Sequence, residues 1–314
     1  MDENKKNNQR IYWLDIAKGI GIILVILAHS IFPFVQQIDY FHMPLFFILA
    51  GFTFKAKQVK DFLLPKVNRI FVPYIFWAIL SGLISLIPHG YGGVFNGPLW
   101  FLQNIFVALI LIFIGYLSKS YIYILIIFSV SILSSIIPDF DKVLPFQLGL
   151  GATSALFIYL GTLCGKRIKK SSRRNGFLIL IISLIIFCLL SVIARNSGLS
   201  GSYVSKALFK ENYILSFTLA IAGSFAVVGF SILLSRQKIL EWFGKNSLVI
   251  MCVHFPLCMY LDGALVKLPY FTTSINKLII ASFEWVIVII FSVLMCIICK
   301  KFIPRLTGYS SLIK

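Results

Sequence analysis

Apolar runs long enough to cross a bilayer recur from one end of this chain to the other, and they exclude most folds before any motif is read. A helix needs roughly 20 predominantly apolar residues to span the hydrocarbon of a membrane. Such stretches are read at about ten places: 12–34, 43–56, 68–88, 98–118, 120–137, 151–165, 176–194, 213–234, 246–262 and 277–299. Charged residues make up 13% of the chain and the mean hydropathy is +0.93, whereas a soluble domain gives roughly a quarter of its residues to charge. The expected fold is all-α, a polytopic transmembrane helix bundle. Residues 1–314 are expected to form a single membrane domain without a separate soluble domain, because no connecting segment is long enough to fold alone. No internal period and no low-complexity tract interrupts that reading.

The formal charge of +18 invites a nucleic-acid reading, which its placement excludes. Segments that alternate to one side of the membrane collect the basic residues, including the run Lys166, Arg167, Lys169, Lys170, Arg173 and Arg174. The opposite side keeps only Lys142, Arg195, Lys206, Lys210, Lys267 and Lys277. Basic residues sort in this way to the cytoplasmic face. Both termini are therefore expected in the cytoplasm, in a multi-pass protein of the cell membrane, with a bacterial cytoplasmic membrane the natural setting. The first run is too long for a signal-peptide core and lacks a small-residue cleavage site. The six cysteines fall in or at the ends of spans and form no disulfide framework. Cys296 and Cys299 have the spacing of a metal or redox pair but no partner pair, so they are read as packing thiols. The glycine-rich stretch from His89 to Trp100 lacks the ending of a phosphate-binding loop and reads as an outer turn.

The first span, YWLDIAKGIGIILVILAHS, carries polar groups that hydrocarbon disfavours. Eleven helical steps of 100° return to within about 20° of the start while rising about 16 Å, so Lys18 and His29 share one face. Asp15, one turn before Lys18, joins the same stripe. Two readings of Asp15 and Lys18 stand: an interfacial ion pair with the lysine snorkelling, or one end of a site. An imidazole in the outer half of a span must face a polar interior, which makes His29 a candidate for proton transfer, with a structural hydrogen bond as the alternative. Gly19 and Gly21 permit a close approach by a helix or a ligand.

Further along, His42 and Pro44 open the second span and Lys55 closes it at the cytoplasmic boundary. Lys66, Asn68 and Arg69 stand at the inner mouth of the third. Topology explains these cations taken singly, whereas convergence with Lys18 would make a vestibule for a phosphate-bearing ligand. Glu284, in the last span, is expected either to orient His29 or to pack against other polar groups. His254 is followed by Pro256, which frees a backbone carbonyl, and structural and site roles stand even. Trp100, Gln103 and Asn104, with Tyr91 and Asn96, offer stacking and hydrogen bonds suited to a sugar, although membrane-interface anchoring explains the tryptophan equally.

At these residues the chain resembles the acyltransferase 3 family of membrane O-acyltransferases over essentially its whole length. YWLDIAKGIGIILVILAHS matches the family's first-helix pattern of a basic residue followed by histidine at Lys18 and His29. FHMPLFFILAGFTF resembles its second-helix signature, and KVNRIFVPYIFW its basic motif at Lys66 and Arg69. GPLWFLQNIF and IMCVHFPL are similar to segments of the fucose-acetylase-like and intercellular-adhesion branch. Two positions depart from the pattern: lysine stands at 18 where the family often has arginine, and Ala50 where serine often precedes Gly51.

The resemblance implies a transferase that uses acetyl-CoA as donor substrate and binds no cofactor. Its acceptor would be a glycan hydroxyl outside the membrane, and polysaccharide-synthesis machinery a possible partner. Lys18, Lys55, Lys66 and Arg69 would hold the donor, and His29 would serve as general base or acyl carrier, with Glu284 in support. Asp15, His42, Trp100, Asn104 and His254 would complete an acceptor or structural site. The same buried Glu284, His29 and His254 also suit a polysaccharide exporter or a proton-coupled transporter.

Overall fold

The structure is a computed structural model that describes residues 11–29, 35–55, 57–85, 97–137, 144–197, 212–265 and 274–313. The glycine-rich residues 89–96, the outer end of the first apolar run and the connection at 198–211 lie outside the described residues. Among the described residues there is no strand. Helix α1 (Tyr12–Ala28) is followed by the short α2 (Val35–Asp39) and by α3 (His42–Phe52). Helix α4 (Val59–Lys66) runs through a π-helical turn, Val67–Phe71, into α5 (Val72–Ser85). A 3-10 turn at Gly97–Leu99 leads into α6 (Trp100–Ser118), and α7 (Tyr121–Ile136) and α8 (Leu148–Ile168) follow. The chain continues through α9 (Arg173–Asn196), α10 (Tyr213–Leu233), α11 (Lys238–Leu265) and α12 (Ser274–Phe302).

A helix occupies every apolar run read from the sequence. Among the described residues, 6 stretches are long and apolar enough to cross a membrane: Val59–Leu83, Gly97–Ser118, Pro145–Ile168, Arg173–Asn196, Tyr213–Leu233 and Leu278–Phe302. Helix α7 is apolar but shorter, and α1 and α3, of 17 and 11 residues, fall below that length as described.

Local chemistry sets the boundaries. The side chains of Ser120, Ser172 and Asn212 accept hydrogen bonds from the backbone N–H groups of Ile122, Asn175 and Leu215, which start α7, α9 and α10. Lys119, in the left-handed conformation with φ 50, ends α6 and turns the chain directly into α7. Pro73 has no N–H to offer the carbonyl of Arg69, so the regular ladder of α4 and α5 cannot run straight through. The ladder slips by one residue, and the Val72 N–H bonds to the Val67 carbonyl, which makes the π-turn.

Helix α8 sits at the centre, with 67% of its most apolar window buried, whereas α9 has 11% buried and forms an outer wall. Helices α3, α6 and α7 pack on α8, while α9 packs along α10 and α1 along α11. The exposed faces of α7, α9 and α12 are studded with large apolar side chains such as Leu125, Ile182 and Ile290, the lipid side of the bundle.

Hydrocarbon offers helices no hydrophobic gain for touching one another, so close backbone packing at small residues must hold such a bundle. That contact is densest between α1 and α11, where Gly19 lies against the Leu240 carbonyl and Gly244 against that of Asp15. An added methyl would overlap a backbone oxygen at either glycine. A second seam joins α3 to α8, where Gly51 faces the Ile158 carbonyl and Gly161 that of Ile48.

Gly244→Ala is therefore expected to cost roughly 1–3 kcal/mol of stability, seen as a lower thermal-unfolding midpoint of the purified protein. Gly82→Ala, whose methyl would meet nothing within 4 Å, is expected to leave the midpoint unchanged or raise it. Equal midpoints for the two variants would contradict the α1–α11 contact.

Candidate active site

Segments from five parts of the bundle enclose a cavity of about 190 Å³. Helix α1 contributes Lys18, α3 contributes Ala50, the end of α4 contributes Lys66, α6 contributes Phe101, and α11 contributes Ser247 and Met251. The remaining wall is largely apolar, so the two ammonium groups are its charged features. Lys66 also lies within electrostatic range of Arg69, Lys18 and Lys57. Three of the four expected cations, Lys18, Lys66 and Arg69, are thus grouped about Lys66. Lys55 is exposed, as is Lys57 two positions later in the same loop, and Lys57 lies within electrostatic range of Lys66. Like charges held this close stand ready for an anion, since each raises the attraction felt by a phosphate.

Asp15 is buried, and its carbonyl forms part of the α1–α11 contact. It therefore stands in the seam that places Lys18, one turn further along α1.

At the other end of α1 stands His29, half-buried, its backbone N–H bonded to the Ile26 carbonyl. Its ring centroid lies 5.3 Å from that of His254 on α11 and 5.0 Å from that of Phe255, which meets it edge-on. His254 is wholly buried. Its Nδ1 donates to the Ile250 carbonyl at 2.9 Å. Because a carbonyl only accepts, that bond selects the tautomer and leaves Nε2 as an acceptor. Nε2 is buried and has no hydrogen-bond partner among the described residues.

His42 joins from α3, within electrostatic range of both other histidines. Its Nδ1 donates to the Ile38 carbonyl at 2.9 Å, with the Asp39 carboxylate 3.7 Å away. Three histidines from three helices thus converge, yet among the described residues no group of histidine, cysteine and carboxylate side chains is placed to hold a metal ion. What the arrangement can do is take up and return a proton in a largely dry setting.

Glu284 is buried at 1% exposure on α12, with Cys258 and Asp262 of α11 among its neighbours. Cys258 and Asp262 lie one and two turns past His254, so the carboxyl pair sits about 12 Å further along α11. Sequence reasoning missed Asp262 and Phe255. The stripe of His254, Cys258 and Asp262 at successive fourth positions was the available signal.

Asn104 is completely buried in the seam between α6 and α8, where the Ser154 hydroxyl donates to its Oδ1. Its Nδ2 has no partner among the described residues. Trp100 is half-buried at the start of α6, edge-on to Phe101 at 6.2 Å, and Gln103 accepts from the Tyr74 hydroxyl at 3.1 Å. The turn before Trp100 does approach the histidines, since Gly97 stands against the ring of Phe255. All six cysteines are free thiols; Cys296 and Cys299 are buried near Cys252 between α11 and α12.

A family model described as an acyltransferase domain matches residues 11–301 of the chain. No curated protein matches it, and no solved structure does.

The cation cluster gives a direct test with inorganic pyrophosphate as probe. Lys66→Met is expected to weaken binding about tenfold at low salt, the loss of one charge-assisted contact. Lys55→Met is expected to bind like wild type. Isothermal titration of the purified protein reads both, and equal losses would show that the cavity does not select between the lysines.

Proposed function

Because this chain belongs to the acyltransferase 3 family, we propose that it is an integral membrane O-acetyltransferase moving an acetyl group from cytosolic acetyl-CoA to a hydroxyl of an extracytoplasmic sugar. That it is a membrane acyltransferase follows from the family and from its apolar helices. The donor, the acceptor and the roles of single residues are the proposal. In this reading all ten apolar runs cross the membrane, both chain ends face the cytoplasm, and the acceptor belongs to a capsular, exopolysaccharide, cell-wall or lipid-linked glycan.

The observation that carries the reading is the pairing of two unlike environments on one helix. Lys18 stands at the cavity beside Lys66, while His29 faces His254 about 16 Å further along α1. Phosphates of the donor would bind at Lys18, Lys57, Lys66 and Arg69. The uncharged arm would lie along the apolar wall of the cavity and carry the thioester toward His29.

His29 acts as general base. It takes the proton of the acceptor hydroxyl as that oxygen attacks the thioester carbonyl. The new C–O ester bond forms, the C–S bond breaks, and the imidazolium returns its proton to the departing thiolate. His254, whose ring lies 5.3 Å from that of His29, would limit the orientations open to the His29 imidazole by packing against it. A buried, water-poor setting protects the thioester from hydrolysis while the acceptor is absent.

The test is transfer of labelled acetyl from acetyl-CoA to a panel of glycans by protein reconstituted in vesicles. His29→Ala is expected to lower the rate by about 10²–10⁴ at matched protein level, the usual contribution of a positioned general base. Equal transfer by the variant would remove His29 from the chemistry. Absence of transfer in both proteins, with glycan efflux intact, would turn the reading toward an exporter.

A further inference from the structure

Past α12 the chain folds back on itself. The N–H groups of Tyr309 and Ser310 both bond to the Pro304 carbonyl, at 2.9 and 3.0 Å, and the Thr307 hydroxyl, buried, donates to Ile303. The turn closes at Gly308, whose φ of +81 suits glycine and which lies against the Arg69 carbonyl and the Pro73 ring. The Tyr309 hydroxyl donates to Asn246 Oδ1 at 2.7 Å. Asn246 is held in turn by a bond from its Nδ2 to the Trp242 carbonyl, also 2.7 Å.

The strap is then fastened to the π-turn by one side chain. Asn68 is 2% exposed. Its Oδ1 accepts from the backbone N–H groups of Leu312 and Ile313, at 2.7 and 2.8 Å. Its Nδ2 donates to the Ile313 carbonyl at 2.9 Å and to the Leu64 carbonyl at 3.0 Å. The amide group is used on both sides, and the bonds recognise backbone only, because the side chains of Leu312 and Ile313 are exposed.

The two elements joined by this strap both line the cavity. Lys66 and Ile70 flank Asn68 on the π-turn side, and Ser247 and Leu248 follow Asn246 on α11. We propose that Asn68 is a positioning residue, which clamps the strap of residues 304–313 between α11 and the π-turn and so holds Lys66 and Arg69 in place for the anionic end of the acyl donor. This rests on the donor reading above. The slipped ladder of the π-turn makes such support useful, because a helix whose hydrogen bonds have shifted register has a second arrangement close at hand.

Full-length protein in vesicles is compared as wild type, Asn68→Leu, Leu312→Pro and Leu312→Ala. Leu312→Pro deletes one N–H that Asn68 receives without touching the π-turn, whereas Leu312→Ala keeps that N–H. Release of the strap is read first, by the rate of trypsin cleavage after the exposed Arg305. Cleavage is expected to quicken in Asn68→Leu and Leu312→Pro alone. Donor use is read next: in these two variants the KM for acetyl-CoA and the Kd for CoA are expected to rise about tenfold, with kcat within about twofold of wild type. A general loss of folding would instead lower kcat through the fraction of active protein. Unchanged cleavage overturns the clamp, and faster cleavage with unchanged KM and Kd overturns its role at the donor site. Failure of wild type itself to bind CoA overturns the donor reading and this inference with it, and the wild-type arm alone identifies that case.

Discussion

The contact between the backbones of α1 and α11 is the constraint on which the rest of the structure depends. Its two segments, Asp15–Gly19 and Leu240–Gly244, lie side by side with each glycine against a carbonyl of the other helix. His29 and His254 each stand ten residues past the glycine that ends its segment, so the parallel helices bring both rings to one level. A slip of one turn would move the rings about 5.4 Å relative to each other, enough to part them. In lipid, where apolar side chains gain nothing by leaving hydrocarbon, this register is set by van der Waals contact at small residues. The pairing of the two histidines and the helix packing are therefore one feature.

The helices and the stripe from Lys18 to His29 were legible in the sequence because both are local properties. A run of apolar residues and a spacing of eleven survive whatever the neighbouring helices do. What faced that stripe was not legible. Glu284 and His254 are both ionisable groups inside apolar runs, and composition ranks them alike, so the contact of His254 with His29 could not be read from either. That Lys57 lies within electrostatic range of Lys66 was likewise hidden, because no periodicity governs a loop. Asn68 was visible as a polar residue at the mouth of the third span, but its partners lie 244 and 245 positions away.

The polar groups divide according to what each costs in a membrane. Lys18 and Lys66 line the cavity, where their stems can cover apolar wall while their heads meet water or an anionic ligand. The histidines are neutral when unprotonated, so burial is tolerable once one ring nitrogen has a carbonyl to donate to. Both His42 and His254 meet this need within their own chain neighbourhood, through the carbonyl four residues earlier.

The same logic explains why the wall carrying Lys66 needs help from outside its own helix. Pro65 and Pro73 bracket that wall, and each removes an N–H from the ladder that would otherwise stiffen it. A π-turn restores part of the hydrogen bonding at the cost of regular register. A backbone left in this state is held only as firmly as its tertiary contacts allow. Asn68 supplies four hydrogen bonds at that point, three of them to the strap and one to the preceding turn. Because those bonds reach backbone atoms, the position of the cations is tied to the path of the chain past α12, and through Tyr309 and Asn246 to the helix that carries His254.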